Sequence, residues 1–371
     1  MLRLLLVIAG VSLAACEQPR SPPSAPGAIR VDQRMGAAPD PGFARALEVR
    51  PFDFPGDHGA HPDYATEWWY FTGNLRDAGG HRFGYQLTLF RVGLRPGEPI
   101  PDSRWRARQL YMGHLAVSDI GSATHYREER FSRAAAGLAG AAADPLQVWL
   151  GPWSIRGADH GLFPLHLSAR TEEIALDLSI GPGSKPLVAQ GENGLSRKSA
   201  APGNASYYYS FTRLPTSGEL RVGDRRYQVT GDSWFDREWS SSALGADQAG
   251  WDWFALHLDD GRDLMFYRMR GKDGRAQRFS GGVLVDSDGS VHSLSLDDVE
   301  LGPTRTWQAA DGVAYPVAWR LSVPGSGLDL IVEAAFDDQE MDVSVRYWEG
   351  AVLVSGSHSG VGYLELSGYA H

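Results

Sequence analysis

Hydrophobic and polar residues alternate along most of this chain, with the period of two that is typical of half-buried β-strands. The alternation is clear in residues 67–75 and 81–93, which flank a turn sequence that contains Asp77 and Gly79. Turn residues between two alternating segments predict a β-hairpin. A second tight hairpin is predicted over residues 220–231, around a Gly-Asp turn. We therefore expect antiparallel strand pairs in both halves of the chain.

Further strands are predicted through the rest of the chain, each bounded by Gly, Pro or Asp turns. They cover residues 110–120, 163–169, 173–180, 206–214, 281–290, 317–325, 328–336, 341–356 and 360–370. Only residues 133–146 predict a short helix, because they are rich in alanine, although glycines interrupt them. Strands at this spacing with almost no helix predict an all-β protein built of barrels or sandwiches.

The length of 371 residues exceeds what one hydrophobic core usually serves, so we expect two domains. A weak internal repeat supports two similar halves. When Trp68 is placed beside Trp251, Tyr70 falls beside Trp253, and the hairpin positions that follow keep the same parity. The 44 Gly and 22 Pro residues fit the many turns that two such β-domains need.

The first seventeen residues predict export and lipidation. Arg3 precedes an apolar run from Leu4 to Leu13, which is too short for a stable membrane-spanning helix. Small residues then precede Cys16, the single cysteine of the chain, in the pattern of a bacterial lipoprotein signal. The alternative is a cysteine left in an ordinary signal peptide. Glu17 favours retention at the periplasmic face of the outer membrane over the inner membrane.

The segment after Cys16 does not have the composition of a folded domain. Residues 16–42 are rich in Pro, Ser and Gly, as extended tethers are. We expect a signal peptide over residues 1–15, a lipidated tether over residues 16–42, an N-terminal domain over residues 43–229 and a C-terminal domain over residues 230–371.

Charge and cysteine usage exclude several classes of function. A formal net charge of −10 argues against binding to nucleic acid or to an anionic membrane surface. A single cysteine excludes an intramolecular disulfide and a thiolate metal site. His58, His61 and Asp63 are close in sequence but match no known ligand pattern. We therefore expect no metal and no cofactor.

Residues 230–270 carry the candidate chemistry, since they hold four of the chain's 12 Trp residues together with several acids. Period-two alternation divides the start of this stretch between two faces, with Asp232, Trp234, Asp236 and Glu238 on one and Ser233, Phe235, Arg237 and Trp239 on the other. Carboxyl groups that face solvent would be ordinary. Inside a cavity, loss of solvation would raise their pKa and make them proton donors.

Four motifs in order along the chain carry a family resemblance. They are TEWWYFTGNL (66–75), GDSWFDREWS (231–240), GWDWFALHLDDGRDLMFYRMR (250–270) and YWEGAVLVSGSHSGVGYLELSGY (347–369). With them the chain, from about Phe52 to Tyr369, resembles the secreted lipocalin-like family that includes the carotenoid 1,2-hydratases and the AttH-type proteins. The resemblance implies two lipocalin-like antiparallel β-domains in tandem, a hydratase-type domain followed by a smaller one, and a hydrophobic ligand. Members of this family have been called secreted hydrolases, and many accompany ABC transporter permeases.

The resemblance also implies roles for individual residues. In the carotenoid hydratases the stretch that matches residues 231–239 reads G-H-G-Y-x-D-x-x-W. Asp236 and Trp239 match this pattern, whereas Asp232 stands at the His position and Trp234 at the Tyr position. This departure argues against a carotenoid as the substrate. Addition of water to an alkene would still need an acid and an aromatic cage around the carbocation.

We assign the acid to Asp236, with Asp232 beside it on the same face, and expect His257 or Tyr267 to position water. The expected cage is Trp234, Trp239, Trp251 and Trp253, and further candidates for the pocket are Glu67, Trp69, Tyr85, Gln86 and His114. Structural roles are the alternatives. The aspartates would pair with Arg237, His257 would be a core residue, and Glu67 would form a rim salt bridge.

Three hypotheses of function follow. The first is a periplasmic lipoprotein that binds a hydrophobic isoprenoid or acyl molecule and hydrates or isomerises it by acid catalysis. The second is a binding module without chemistry, which presents lipophilic cargo to an ABC transporter permease. The third is a secreted hydrolase. The sequence disfavours it because residues 356–360 read GSHSG, with His at the centre of the expected serine elbow.

Overall fold

The structure is a computed structural model that describes residues 41–97, 108–241, 244–245 and 247–370. The predicted signal peptide, Cys16 and all but the last two residues of the predicted tether lie outside the described residues. No helix among the described residues has the length and apolar composition to cross a membrane.

The described chain forms 23 strands and three single turns of 3-10 helix. The first sheet contains β1 (Thr66–Asp77), β2 (Arg82–Gly93), β3 (Gln109–Asp119), β4 (Thr124–Arg133), β5 (Ala139–Ala143), β6 (Leu146–Leu150), β7 (Trp153–Arg156), β8 (Leu165–Arg170), β9 (Ile174–Ile180), β10 (Val188–Ala189), β11 (Leu195–Arg197), β12 (Ala205–Val222) and β13 (Arg225–Ser240). The second contains β14 (Gln248–Leu258), β15 (Asp263–Gly271), β16 (Gly281–Val285), β17 (Val291–Ser295), β18 (Glu300–Gln308), β19 (Ala314–Val323), β20 (Leu328–Ala334), β21 (Glu340–Met341), β22 (Tyr347–Gly356) and β23 (Gly360–Ser367). The 3-10 turns are Gly56–His58, Leu296–Asp298 and Pro324–Ser326.

Both sheets are antiparallel and curl around their own hydrophobic cores, which confirms the prediction of an all-β protein with two lipocalin-like domains. Phe71 and Phe235 show how the first core forms. They are direct partners on β1 and β13, and their rings stack with centroids 4.2 Å apart. In the second core the rings of Phe254 and Trp319 meet edge to face at 5.4 Å. Alternation places these residues on the concave side of each sheet.

The two predicted hairpins are present. β1 and β2 pair from Thr66 to Arg76, and β12 joins β13 through a turn in which Gly223 has φ of 57°. The predicted helix over residues 133–146 is wrong, since this segment contains the end of β4, all of β5 and the start of β6. Gly137 has φ of 75°, which interrupts helical geometry, and the buried Ala139 begins a strand that pairs with β6.

The chain passes from the first sheet to the second later than the expected domain boundary between residues 229 and 230. That boundary falls inside β13, which pairs with β1 and β12. The first sheet ends at Ser240 and the second begins at Gln248. The reason is that Phe235 and Trp239 fill the core of the first sheet. Residues 231–240 thus belong to one sheet and the Trp-rich strand β14 to the other.

The two sheets repeat one strand order. The order β4-β3-β2-β1-β13-β12-β9-β8-β7 in the first corresponds to β17-β16-β15-β14-β23-β22-β20-β19-β18 in the second. The equivalence of β1 and β14 agrees with the predicted repeat, which pairs Tyr70 with Trp253. On the neighbouring strands, Tyr70 lies opposite Asp236 and Trp253 lies opposite Glu365. Asp236 and Glu365 therefore occupy equivalent positions in the two sheets.

The outward faces of the two sheets pack against each other near these strands. The side-chain amide of Asn74 donates to the carbonyl of Gly362 at 3.0 Å. A Cβ on Gly84 would lie 2.7 Å from the Cβ of Ala351, so only glycine permits this close approach. One apolar cluster, which includes Tyr70 and Trp253, takes side chains from both sheets. The surface between the sheets is thus part of the protein's interior.

Candidate active site between the sheets

Asp236 lies at the surface between the sheets, on the outward face of β13. Its side chain accepts three hydrogen bonds, from the hydroxyl of Tyr208 at 2.5 Å, the hydroxyl of Ser210 at 2.6 Å and the indole N–H of Trp234 at 2.6 Å. Tyr208 and Ser210 come from the neighbouring strand β12. All three donors are neutral, and Asp236 is 3% exposed.

This environment makes Asp236 a group that exchanges a proton near neutral pH. Burial raises the pKa of Asp236 to about 7, since loss of water disfavours the charged form. The three neutral donors oppose this effect without cancelling it, and the charge of Glu238 on the same face adds to it. A carboxyl group with such a pKa can act as a general acid at neutral pH.

The second sheet supplies two more carboxyl groups, which are direct partners on β22 and β23. Glu365 accepts a hydrogen bond from the indole N–H of Trp251 at 3.0 Å, and Glu349 accepts one from the hydroxyl of Tyr70 at 2.6 Å. Burial and the charges of Glu238 and Asp236 raise the pKa of Glu365 to about 7. Burial and the charge of Glu365 raise the pKa of Glu349 well above its ordinary value.

Lys198 approaches the same region from the segment before β12. Its ammonium lies 3.2 Å from a carboxylate oxygen of Glu238 and over the rings of Tyr208 and Tyr267, at 5.4 and 4.7 Å from their centroids. Burial opposes the charge of Lys198, but Glu238 outweighs it and the pKa of Lys198 is raised. Glu238 therefore has a cation beside it, whereas Asp236 and Glu365 have no cation among their described contacts.

Aromatic rings separate the two groups of carboxyls. Tyr70 and Trp253, the residues paired by the internal repeat, contact each other edge to face with centroids 5.2 Å apart. Trp234 packs against Trp253 at 6.2 Å, and the indole N–H of Trp253 points to the hydroxyl of Tyr208 at 3.4 Å. Aromatic faces attract positive charge. The site therefore combines proton donors with rings that would stabilise a cationic intermediate.

The other three predicted catalytic residues differ in their placement. Tyr267 belongs to the site, with its hydroxyl 3.2 Å from that of Ser196. His257 packs against Trp234, but its Nε2 lies 2.5 Å from the carbonyl oxygen of Thr212, and burial lowers its pKa. It therefore has the contacts of a neutral, buried core histidine. The side chain of Asp232 is 41% exposed, lies at the rim and is 3.7 Å from Arg213.

The predicted ligand-binding residues are divided between two surfaces. Trp234, Trp251, Trp253, Gln86 and His114 lie on the outward faces, where the sheets meet, whereas Trp239, Glu67, Trp69 and Tyr85 face the interior of the first sheet. The predicted cage is therefore wrong in Trp239, because successive side chains of a strand point to opposite sides. The cage that forms between the sheets consists of the other three indoles together with Tyr70 and Tyr208.

The interior residues have structural partners. Glu67 is fully buried and contacts the guanidinium groups of Arg91 and Arg237. Burial alone would raise the pKa of Glu67, but the two arginines outweigh it and hold the pKa well below its ordinary value. The rim salt bridge considered for Glu67 is thus an interior ion pair, and Arg237 points away from Asp236. The hydroxyl of Tyr85 lies 2.6 Å from that of Ser233.

Gln86 and His114 serve the contact between strands and sheets. Gln86 donates to the hydroxyl of Thr88 at 2.5 Å. His114 joins the sheets, since its Nδ1 lies 2.7 Å from the hydroxyl of Tyr347 and its Nε2 lies 3.0 Å from Glu129. Neither residue contacts Asp236 or Glu365 in these interactions.

Sequence reasoning missed Glu349, Glu365, Tyr70, Tyr208 and Lys198. The internal repeat contained a signal for Glu365. The repeat makes Tyr70 equivalent to Trp253, and the strand partners of these two residues are Asp236 and Glu365. A cleft of about 520 Å³ adjoins Lys198, between residues 199–204 and 277–279. The side-chain amide of Gln248 donates both to the carbonyl of Lys198 and to Gln277, each at 2.8 Å.

Comparison with known proteins agrees with this architecture. The sequence model of the AttH-like family matches residues 45–369. The crystal structure of an AttH-type protein, NE1406 from Nitrosomonas europaea, has 35% sequence identity and a TM-score of 0.79, over 88% of this chain and 100% of that one. No curated protein matches the chain in sequence.

Two further solved structures share the fold at low sequence identity. Kievitone hydratase from Nectria haematococca has a TM-score of 0.65 at 15% identity, over 89% of this chain and 98% of that one. CghA with Sch210972 has a TM-score of 0.53 at 14% identity, over 92% of this chain and 99% of that one. The family model that matches residues 45–369, together with the 35% identity to NE1406, shows that the chain belongs to the AttH-like family.

Proposed function

We propose that this protein adds water to an alkene of a hydrophobic small molecule, or isomerises that alkene, by acid catalysis between the two sheets. The observation that carries the proposal is Asp236, a buried carboxyl held by neutral donors beside Trp234 and Trp253, with a pKa raised to about 7. The fold shared with kievitone hydratase supports chemistry of this class.

The proposed reaction begins when Asp236 donates its proton to one alkene carbon. Positive charge then develops on the other carbon, where the ring faces of Trp253, Tyr70 and Tyr208 stabilise it. Addition of water followed by loss of a proton gives an alcohol, whereas return of a different carbon-bound proton to the Asp236 carboxylate gives an isomerised alkene. Exclusion of bulk water by the packed sheets keeps the cation from being captured before it is positioned.

The ligand that fits this site is largely apolar, such as an isoprenoid or acyl chain. We propose that the protein is held at the periplasmic face of the outer membrane by lipid on Cys16, as the lipoprotein signal predicts. The cleft beside Lys198 is the proposed route to the site, because it adjoins the segment that carries the ammonium to Glu238.

Native mass spectrometry of the protein extracted from its own membrane would identify the bound molecule. That molecule, incubated with purified protein in D2O, should gain deuterium at carbon. Asp236→Asn should abolish this exchange while the folded state is kept, and Asp232→Asn at the rim should leave it intact. Unchanged exchange in the Asp236→Asn protein would remove this residue from the mechanism.

A second candidate function is binding of lipophilic cargo for an ABC transporter permease, without chemistry. Full occupation of both Asp236 oxygens by Tyr208, Ser210 and Trp234 favours it, since these contacts also suit a structural carboxyl. In that case the molecule would be recovered unchanged and without deuterium, and the protein would copurify with a permease. Esterase activity blocked by a serine-directed reagent would instead indicate a hydrolase.

A further inference from the structure

We propose that Glu365 is the proton-accepting partner of Asp236, so that the proton given to the alkene by one sheet is matched by a proton taken from water by the other. This inference rests on the proposed function and adds a residue of the second sheet to the reaction. It assigns different parts of the chemistry to the two halves of the repeat.

The first support is the position of Glu365 in the repeat. Asp236 on β13 is the register partner of Tyr70 on β1, and Glu365 on β23 is the register partner of Trp253 on β14. Tyr70 and Trp253 contact each other across the site. In an interface between two similar units, contact between equivalent residues marks a local two-fold axis. Asp236 and Glu365 therefore lie on opposite sides of that axis.

The second support is that both carboxyls have similar surroundings. Each accepts an indole N–H from a Trp of its own sheet, Trp234 for Asp236 and Trp251 for Glu365. The position of Ser210, which donates to Asp236, corresponds to that of Glu349, which lies opposite Glu365. The charge of Glu365 raises the pKa of Glu349, so these two facing carboxyls do not readily ionise together.

Electrostatic interaction gives the two carboxyls complementary states. Burial raises both pKa values to about 7, and the charges of Glu238 and Asp236 add to the shift of Glu365. When one carboxyl is ionised, the other therefore holds its proton more firmly. The ionisable groups that interact with Glu365 are Tyr70 on β1, Asp236 and Glu238 on β13, and Glu349 and Tyr347 on β22. Lys198 is linked to this group through Glu238, 3.2 Å away, and lies over the ring of Tyr267.

The difference in solvent exposure between the two residues supports the assignment of one carboxyl as proton donor and the other as proton acceptor. Asp236 is buried, whereas Glu365 is half-buried as a residue, although its carboxyl has lost enough water for its pKa to be raised. A proton donor to an apolar alkene suits the drier position, and a base that takes a proton from water suits the wetter one. Asp236 is therefore the acid in the forward direction, and Glu365 is the base.

The proposed step balances. The alkene π electrons take the proton of Asp236 and form a C–H bond, which leaves a cationic carbon and the Asp236 carboxylate. A lone pair of water forms the C–O bond, and the resulting oxonium passes its proton to the Glu365 carboxylate. The products are an alcohol, ionised Asp236 and protonated Glu365. Proton exchange with solvent restores the starting states.

Carboxyl titration in the full folded chain tests the pairing without any ligand. Protein labelled with 13C at the carboxyl groups of Asp and Glu would be followed by NMR from acid to neutral pH. In Glu365→Gln the pKa of Asp236 should fall, and in Asp236→Asn the pKa of Glu365 should fall, because each change removes a like charge. The control Glu333→Gln, on the exposed side of β20, should shift neither resonance. Unshifted resonances in both site variants would overturn the proposal.

A second measurement separates a base from a packing residue. With the molecule identified by mass spectrometry as substrate, the wild-type rate should fall at low pH, as Glu365 protonates, and at high pH, as Asp236 ionises. Glu365→Gln should lower kcat at least tenfold and remove the low-pH limb, and Glu365→Asp should restore that limb. A rate unaffected by Glu365→Gln, with Asp236→Asn inactive, would exclude Glu365 and leave the proposed function intact. If both variants kept their activity, the proposed function itself would be contradicted.

Discussion

Glu67 and Asp236 are buried carboxyl groups on the neighbouring strands β1 and β13, yet they have opposite chemistry. Glu67 faces the core of the first sheet and contacts two guanidinium groups, which hold its pKa well below the ordinary value. Asp236 faces the second sheet and contacts neutral donors, and burial raises its pKa to about 7. The difference shows that the partner, and not the depth of burial, decides whether a buried carboxyl is a fixed charge or a proton donor.

The largest expected effect comes from Arg237, which contacts Glu67 and lies 4.0 Å from the centroid of the Trp69 ring. Arg237→Ala leaves part of the negative charge of Glu67 buried without a partner. We expect a loss of about 3 to 5 kcal/mol in the free energy of unfolding, measured by urea denaturation. The exposed pair of Arg320 and Asp329 provides the control, since Arg320→Ala should cost far less stability than Arg237→Ala. Equal losses would mean that the buried ion pair has no special role.

The pH dependence of stability should differ in sign between the two carboxyls. Asp236 has a folded-state pKa above its unfolded value of 3.8, so its contribution is complete below pH 4 and is lost as pH rises towards 7, by about 4 kcal/mol. Glu67 has a folded-state pKa below its unfolded value of 4.5, so its contribution is present above that pH and is lost as pH falls. Urea denaturation of wild type, Asp236→Asn and Glu67→Gln across this range measures both. Slopes of the same sign would contradict the assignment.

A smaller effect should follow when Trp253 loses its N–H. Trp253→Phe keeps an aromatic ring against Tyr70 but removes the donor to Tyr208. We expect a loss of about 1 kcal/mol in the free energy of unfolding, because one long hydrogen bond and some buried area disappear. Trp307→Phe, at a partly buried ring outside the site, is a suitable comparison. A loss above about 4 kcal/mol would show that the indole supports the contact between the sheets.

The smallest effect is expected at the rim. The carboxylate of Asp232 shares a face with Asp236 but is 41% exposed and 3.7 Å from Arg213. Asp232→Asn should change the free energy of unfolding by less than about 0.5 kcal/mol at neutral pH. Its effect should weaken further at high salt. A pronounced pH-dependent loss would place Asp232 in the buried electrostatic network after all.

Much of the fold could be predicted because strands leave a local signal. Alternation and turn residues located both hairpins and most strands, and parity correctly separated Trp234 and Asp236 from Phe235 and Trp239. The alanine-rich segment failed because its conformation depends on pairing with β6, which intrinsic propensity does not contain.

The candidate site was harder to predict, since the sequence does not show which face of a strand packs in the core of its own sheet and which packs against the other sheet. Asp236 was placed in a buried aromatic environment, but Trp239 was assigned to the same cage although it faces the other core. Glu365 comes close enough to Asp236 for their charges to interact only because the two sheets pack through their outer faces. That contact joins residues more than 100 positions apart, beyond any local pattern.

The shared strand order has a consequence for how such a catalyst could arise. A single ancestral sheet that associated with a copy of itself would have presented the same carboxyl twice, once from each subunit, in identical settings. Fusion of the copies allows the surroundings of each carboxyl to change independently, so that Asp236 can be buried while Glu365 is half-buried. An acid and a base can then arise in one site without a new scaffold, through sequence changes around two positions that were once identical.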